Sequence, residues 1–217
     1  MSTEGLVSFE SAWASVAGVV GGGGEGGSCA AILFDLDGTL CDSFQLGFQS
    51  TKEVLGVDYP ITEDDYHQGT KFCTPERLAR HVGLVPGTDD FQRTGKRLGE
   101  SFDKLYIAKV SKETAPLFSG IKALLTALSK ENVRLGCLTN AAVAYAHAVL
   151  GTNEIKTLFS SIHGADDVPE PKPSPLGLLQ CCSDLEDIHP SKCIYIGDSP
   201  SDGAAGKRAG MMTVGCT

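Results

Sequence analysis

Asp35, Asp37, Gly38, Thr139, Asn140, Lys172, Asp198 and Asp202 are scattered over the sequence, yet their types suit one task, holding a phosphate beside a metal ion. Aspartates brought close together repel, and each raises the other's pKa, unless a cation sits among them. Carboxylates and backbone carbonyls are hard oxygen ligands of the kind that suit Mg²⁺. The ammonium of Lys172 and the hydroxyl of Thr139 supply the donors a phosphate needs. Any one of these residues alone reads as a helix-capping aspartate or a solvated lysine. The chemistry depends on their joint placement.

Joint placement requires a fold that carries distant segments to one rim. The run Ala30-Ala31-Ile32-Leu33-Phe34 reads as a buried strand that stops abruptly at Asp35-Leu36-Asp37-Gly38-Thr39. Stretches 43–56, 62–69, 74–82 and 89–110 follow as helices, each opened by Ser, Thr or Asp near its N-cap position. No strand signal occurs between Asp42 and Pro116, so 42–115 is expected to form an α-helical insertion. Alternation then resumes with helix 116–130, strand 133–138, helix 141–150 and a weak strand 161–164. Helix 175–185, strand 192–196, helix 202–209 and strand 212–216 complete it. This rhythm predicts an α/β fold, a Rossmann-like, doubly wound parallel sheet over 29–41 and 116–217, with an α-helical cap domain inserted after its first strand. Ligands of such sheets sit outside the carboxyl ends of the strands, which is where these polar residues fall.

The bulk of the chain sets bounds on partners. With 217 residues, 41% hydrophobic and 21% charged, it is long enough for one buried core and a modest insertion. A net charge of −9 gives no basic footprint for nucleic acid or anionic membrane, and no apolar run is long enough for a membrane span. An anionic substrate would have to be collected by local positive charge. Eight cysteines, several inside apolar runs, read as reduced thiols of a cytoplasmic protein. Residues 1–28, with Val7, Phe9 and Trp13 ahead of a glycine-rich tract, read as a flexible leader.

Asp35-Leu36-Asp37-Gly38-Thr39-Leu40, Leu138-Thr139-Asn140, Pro171-Lys172-Pro173 and Ile196-Gly197-Asp198-Ser199-Pro200-Ser201-Asp202 resemble, in order, the four motifs of the haloacid dehalogenase superfamily. The resemblance runs from Ala30 to the C-terminus, and the helical insertion is similar to the small cap of phosphoglycolate phosphatases and their relatives. It implies that Asp35 is the nucleophile on phosphorus and also a Mg²⁺ ligand, with Asp198 and the main-chain carbonyl of Asp37 as further ligands. The Asp37 side chain would be the acid and base, serving first the leaving oxygen and then the hydrolytic water. Thr139 and Lys172 would hold the transferring phosphoryl oxygens, and Asn140 would assist through its backbone or amide. Asp202 would orient Lys172 or a water, and Gly38 would let the backbone approach the phosphate. The implied activity is Mg²⁺-dependent hydrolysis of a small phosphate monoester, phosphoglycolate- or sugar-phosphate-like, through a phospho-aspartate.

Within the superfamily, Asp37 argues against dehalogenation, which has no use for a second acid in the first motif. A phosphosugar mutase of the β-phosphoglucomutase kind expects a cap histidine where Gly47 stands and a basic pair where Gln68 and Phe72 stand. A phosphonatase needs a Schiff-base lysine in the cap, for which Lys71 is the candidate. Cap residues 69–77 are expected to face the substrate, with Lys71 and Arg77 reaching a carboxylate or second phosphate; the plainer reading makes both solvated helix charges. A non-catalytic domain that binds a metabolite or a protein is the alternative from a different class. The sequence stops just after the last expected strand, where relatives usually run on through another strand and helix, so an uncovered sheet edge or apolar face is expected there.

Overall fold

The computed structural model describes residues 29–216, and the leader over 1–28, including Val7, Phe9 and Trp13, lies outside the described residues. Strand β1 (Ala31–Phe34) is buried at every position, as a strand covered on both faces must be. With β2 (Arg134–Leu138), β3 (Ser161–His163), β4 (Cys193–Gly197) and β5 (Met212–Gly215) it forms a five-stranded parallel sheet of order β3-β2-β1-β4-β5. The chain builds outward from β1 on one side, then crosses back to β4 on the other. That reversal opens a crevice at the carboxyl ends of β1, β2 and β4.

Four helices follow β1: α1 (Phe44–Leu55), α2 (Glu63–Gly69), α3 (Thr74–His81) and α4 (Asp89–Ala108). The remainder are α5 (Ile121–Lys130) before β2, α6 (Val143–Thr152), α7 (Leu176–Asp184) and α8 (Pro200–Ala209). Alternate strand residues face opposite sides. Ile32, Phe34, Cys137 and Ile196 pack with Leu125 of α5 and Val149 of α6, whereas Ala31, Leu33 and Tyr195 pack with Leu178 of α7 and Ala205 of α8. All eight cysteines are free thiols, with Cys41, Cys137, Cys181, Cys182 and Cys193 buried.

Three helix starts differ from expectation by two residues or more; one is α6, which begins at Val143 rather than at 141. Residues 116–120 are not helical: Asp42 N–H donates to Pro116 O at 2.9 Å and Phe118 N–H to Leu40 O at 3.1 Å, so the two segments that leave and re-enter the sheet region bond each other. Gly120 then turns with φ 84° before α5 begins. Helix α8 starts earlier than Asp202, because Ser199 caps it, Pro200 fills its first turn and Asp202 closes the capping box.

Helices α3 and α4 approach through glycine. A methyl group at Gly95 would lie 2.6 Å from the Pro75 carbonyl oxygen. Glycine inside a helix is about 0.5–1 kcal/mol worse than alanine, whereas overpacking costs typically ~1–3 kcal/mol. Gly95→Ala is therefore expected to lower the thermal unfolding midpoint despite its better helix propensity; an unchanged or higher midpoint would contradict this close approach.

Candidate active site

The chain reaches the crevice through the turn after β1. Asp35 N–H is fixed to Ile196 O at 2.8 Å, and Leu40 and Cys41 N–H both return to Leu36 O, which folds 36–41 into a tight loop. Gly38 sits there with φ 76°, and a Cβ on it would fall 2.1 Å from Asp198 Oδ2. Only glycine permits both the left-handed backbone and this approach of Asp198.

Lys172 enters from the loop between β3 and α7 and is 4% exposed. Its Nζ donates to Asp35 Oδ1 at 2.7 Å, Asp202 Oδ1 at 2.7 Å and Leu138 O at 3.1 Å. Burial opposes a charge on this lysine, but Asp35 and Asp202 outweigh it and hold its pKa above the ordinary value. Asn140 clamps the lysine from behind, accepting from Lys172 N–H at 2.9 Å and donating to Lys172 O at 3.0 Å. Its side-chain amide is thus committed to positioning Lys172. Asp202 is saturated in turn: Tyr195 donates to Oδ1 at 2.7 Å, and Ser199 donates to Oδ2 through both N–H and hydroxyl.

Asp35, Asp198 and Asp202 each bring a carboxylate oxygen within 4.8 Å of the others. Burial pushes Asp35 well above the usual carboxylate range, with Lys172 opposing and Asp202 and Asp37 adding to the rise. Asp198 opens to the cleft, yet the protein around it removes enough water to raise its pKa, and Asp202 raises it further. No cationic side chain among the described residues pairs with Asp198, and Asp35 Oδ2 accepts no hydrogen bond from them. Since Asp202 is already saturated, Asp35 and Asp198 are the carboxylates left to a hard cation, and the donor set fits Mg²⁺.

Asp37 stands beside this pair under a group of hydroxyls. Its Oδ1 accepts from Ser43 at 2.5 Å, Tyr145 at 2.7 Å and Tyr106 at 3.3 Å, and its Oδ2 accepts from Thr139 at 3.3 Å. Ser43, expected to cap α1, occupies the N-cap position without making a side-chain cap bond, because its hydroxyl goes to Asp37. Tyr106 and Tyr145 were not among the expected site residues. They lie 69 and 108 positions from Asp37, and no local pattern marks them.

The far wall comes from α2 and α3. Asp35, Asp37, Gly38, Thr139, Asn140, Lys172 and Asp198 share a cleft of about 180 Å³ with Tyr66, Phe72 and Arg77. Arg77 is 5% exposed, so it is not a solvated helix charge. Its guanidinium lies 4.9 Å from the ring centres of both Tyr66 and Phe102, and Nη1 donates to Thr51 at 2.7 Å. No carboxylate among the described residues forms an ion pair with it. Lys71 is exposed, outside the cleft lining, with its ammonium 5.2 Å from the Phe72 ring centre.

Comparison with known proteins agrees with this geometry. The family described as haloacid dehalogenase-like hydrolase matches residues 32–216. A phosphoglycolate phosphatase of Vibrio vulnificus (strain YJ016) is 30% identical over 192 residues, covering 86% of this chain and 82% of the relative. One from Salmonella typhi is 29% identical over 204 residues, covering 86% and 80%. Among solved structures, CbbY from Rhodobacter sphaeroides in complex with phosphate superposes with a TM-score of 0.70 at 27% identity, covering 85% of this chain and 84% of its own. With the parallel sheet and the acidic crevice already in place, the match over nearly all the described residues settles the family: the chain belongs to the haloacid dehalogenase-like hydrolases and is phosphoglycolate phosphatase-like among them.

Proposed function

We propose that this protein hydrolyses a small anionic phosphate monoester, phosphoglycolate- or sugar-phosphate-like, through a phosphoryl group carried on Asp35. The observation that supports it best is the division of labour on Asp35: Oδ1 is held by Lys172, Oδ2 accepts no hydrogen bond from the described residues, and a carboxylate oxygen of Asp35 lies within 4.8 Å of one of Asp198. Asp35, Asp198 and the main-chain carbonyl of Asp37 would hold Mg²⁺, which when bound neutralises charge on the phosphoryl oxygens. An Asp35 oxygen attacks phosphorus, the bond from phosphorus to the ester oxygen breaks, and Asp37 gives that oxygen its proton. In the second half Asp37 takes a proton from a water that attacks the same phosphorus. The bond to Asp35 then breaks, returning the carboxylate and releasing inorganic phosphate. The three N–H groups of Lys172 already have acceptors, so it acts through its charge and by turning one bond toward the phosphoryl group, beside Thr139 and the Gly38 backbone.

In this reading 29–41 and 116–217 form the catalytic core, 42–115 the cap and 1–28 a leader. The reduced thiols suit a cytoplasmic setting. No helix among the described residues is long and apolar enough to cross a membrane. The phosphate complex of CbbY and the naming of the relatives as phosphoglycolate phosphatases support the substrate class. A mutase reading is disfavoured, because Gly47 stands where the cap histidine is expected and the Tyr66 hydroxyl lies 1.9 Å from where its Cβ would be. Arg77, buried without an ion-pair partner among the described residues, supports a second anionic group on the substrate; Lys71 belongs to this specificity role only if it swings in from solvent.

Turnover of p-nitrophenyl phosphate is expected with Mg²⁺, to be abolished by EDTA and restored by added Mg²⁺. Asp35→Asn is expected to lose at least about a thousandfold in kcat; activity equal to wild type would overturn the nucleophile assignment. Arg77→Met is expected to raise KM for carboxylate-bearing esters about tenfold more than for p-nitrophenyl phosphate, since a hydrogen bond to a charged group is worth roughly 1.5–3 kcal/mol. Equal effects on both substrates would remove the anion-selecting role.

A further inference from the structure

The acid and base of the proposed reaction is bound more heavily on one oxygen than on the other. Among the described residues Ser43, Tyr145 and Tyr106 all donate to Asp37 Oδ1, at 2.5, 2.7 and 3.3 Å, whereas Oδ2 receives a single bond, of 3.3 Å, from Thr139, a residue on the cleft wall. The two phenols come from different parts of the chain. Tyr106 belongs to α4, between β1 and β2, and Tyr145 to α6, after β2; their rings stack with centres 4.0 Å apart and planes 17° from parallel. Both are buried, at 4% and 0% exposure. Each hydroxyl donates to Asp37 Oδ1, Tyr145 at 2.7 Å and Tyr106 at 3.3 Å.

Resting on the phosphatase reading above, we propose that Tyr106 and Tyr145 are positioning residues for Asp37: with Ser43 they hold Oδ1 and leave Oδ2 as the oxygen that exchanges its proton with the leaving group. A carboxyl fixed at one oxygen by several donors loses its freedom to rotate, and proton transfer requires the other oxygen within hydrogen-bond reach of the departing one. Because one phenol comes from each side of the α4–α6 contact, Asp37 is fully held only while α4 is docked on α6. The same α4 carries Phe102, which packs on the Arg77 guanidinium. Substrate selection at Arg77 and orientation of the acid are thereby joined through one helix.

Tyrosine hydroxyls that merely satisfied themselves on a nearby carboxylate would give the same picture, so the test must separate chemistry from packing. Tyr145→Phe and Tyr106→Phe, made separately, keep the stacked rings and delete one hydroxyl each. The measurement is kcat/KM over a series from p-nitrophenyl phosphate, whose leaving group needs no proton, to alkyl phosphates, whose leaving group does. Each variant is expected to lose about tenfold or more on alkyl phosphates and much less on the nitrophenyl ester, giving a steeper dependence on leaving-group basicity. Equal losses across the series, or none, would overturn the positioning role and leave the tyrosines as packing. Asp37→Asn is the reference: if it fails to steepen the same dependence, the acid assignment of the phosphatase reading is at fault rather than the tyrosines.

Discussion

Lys172 Nζ lies 2.7 Å from both Asp35 and Asp202, in a place from which water is nearly excluded, and the rest of the site is arranged around that shared ammonium. Three charges buried together are held only if their geometry is good and the remaining polar atoms are satisfied. The surrounding structure meets this condition on two sides. Asn140 fixes the lysine backbone, while Tyr195 and Ser199 fill the remaining acceptor positions of Asp202. On the third side it does not, because among the described residues nothing donates to Asp35 Oδ2 and no cation pairs with Asp198. The site therefore carries a local excess of negative charge that a divalent ion would complete, and removing one partner of such a buried pair typically costs ~3–5 kcal/mol.

The parallel sheet explains why this arrangement is economical in chain. Four loops leave the carboxyl ends of β1, β2, β3 and β4, and each delivers one or two of the polar groups to the rim. The helices between β1 and β2 contribute something different. Arg77, inserted between Tyr66 and Phe102, brings positive charge to the opposite wall, and Tyr106 brings a hydroxyl back across to Asp37. The cleft is enclosed by two parts of the chain, and each holds groups that the other needs.

The strand-end residues were legible because their chemistry is stated locally, in short runs where an apolar strand gives way to Asp, Thr or Lys. The doubly wound parallel sheet followed from the same alternation of strand and helix. What escaped was whatever depends on distance. Tyr106 and Tyr145 look like ordinary helix aromatics until the fold places both on one carboxylate. Ser43 stood in the right place for a helix cap, and only its neighbour Asp37 diverts it. The early start of α8 had a signal in Ser199-Pro200-Ser201-Asp202, whose capping-box spacing was read as a site motif alone. Arg77 shares a helix face with Thr74 and Leu78, both buried, a pattern that points an arginine inward.

In the proposed site Asp35 and Asp198 would share one divalent ion opposite Lys172. Crystals grown with Mn²⁺ in place of Mg²⁺ would locate that ion by its anomalous scattering. A single strong peak bound by Asp35, Asp198 and the Asp37 carbonyl is expected; a peak elsewhere, or Asp35 and Asp198 turned to separate surroundings, would rule the shared ion out.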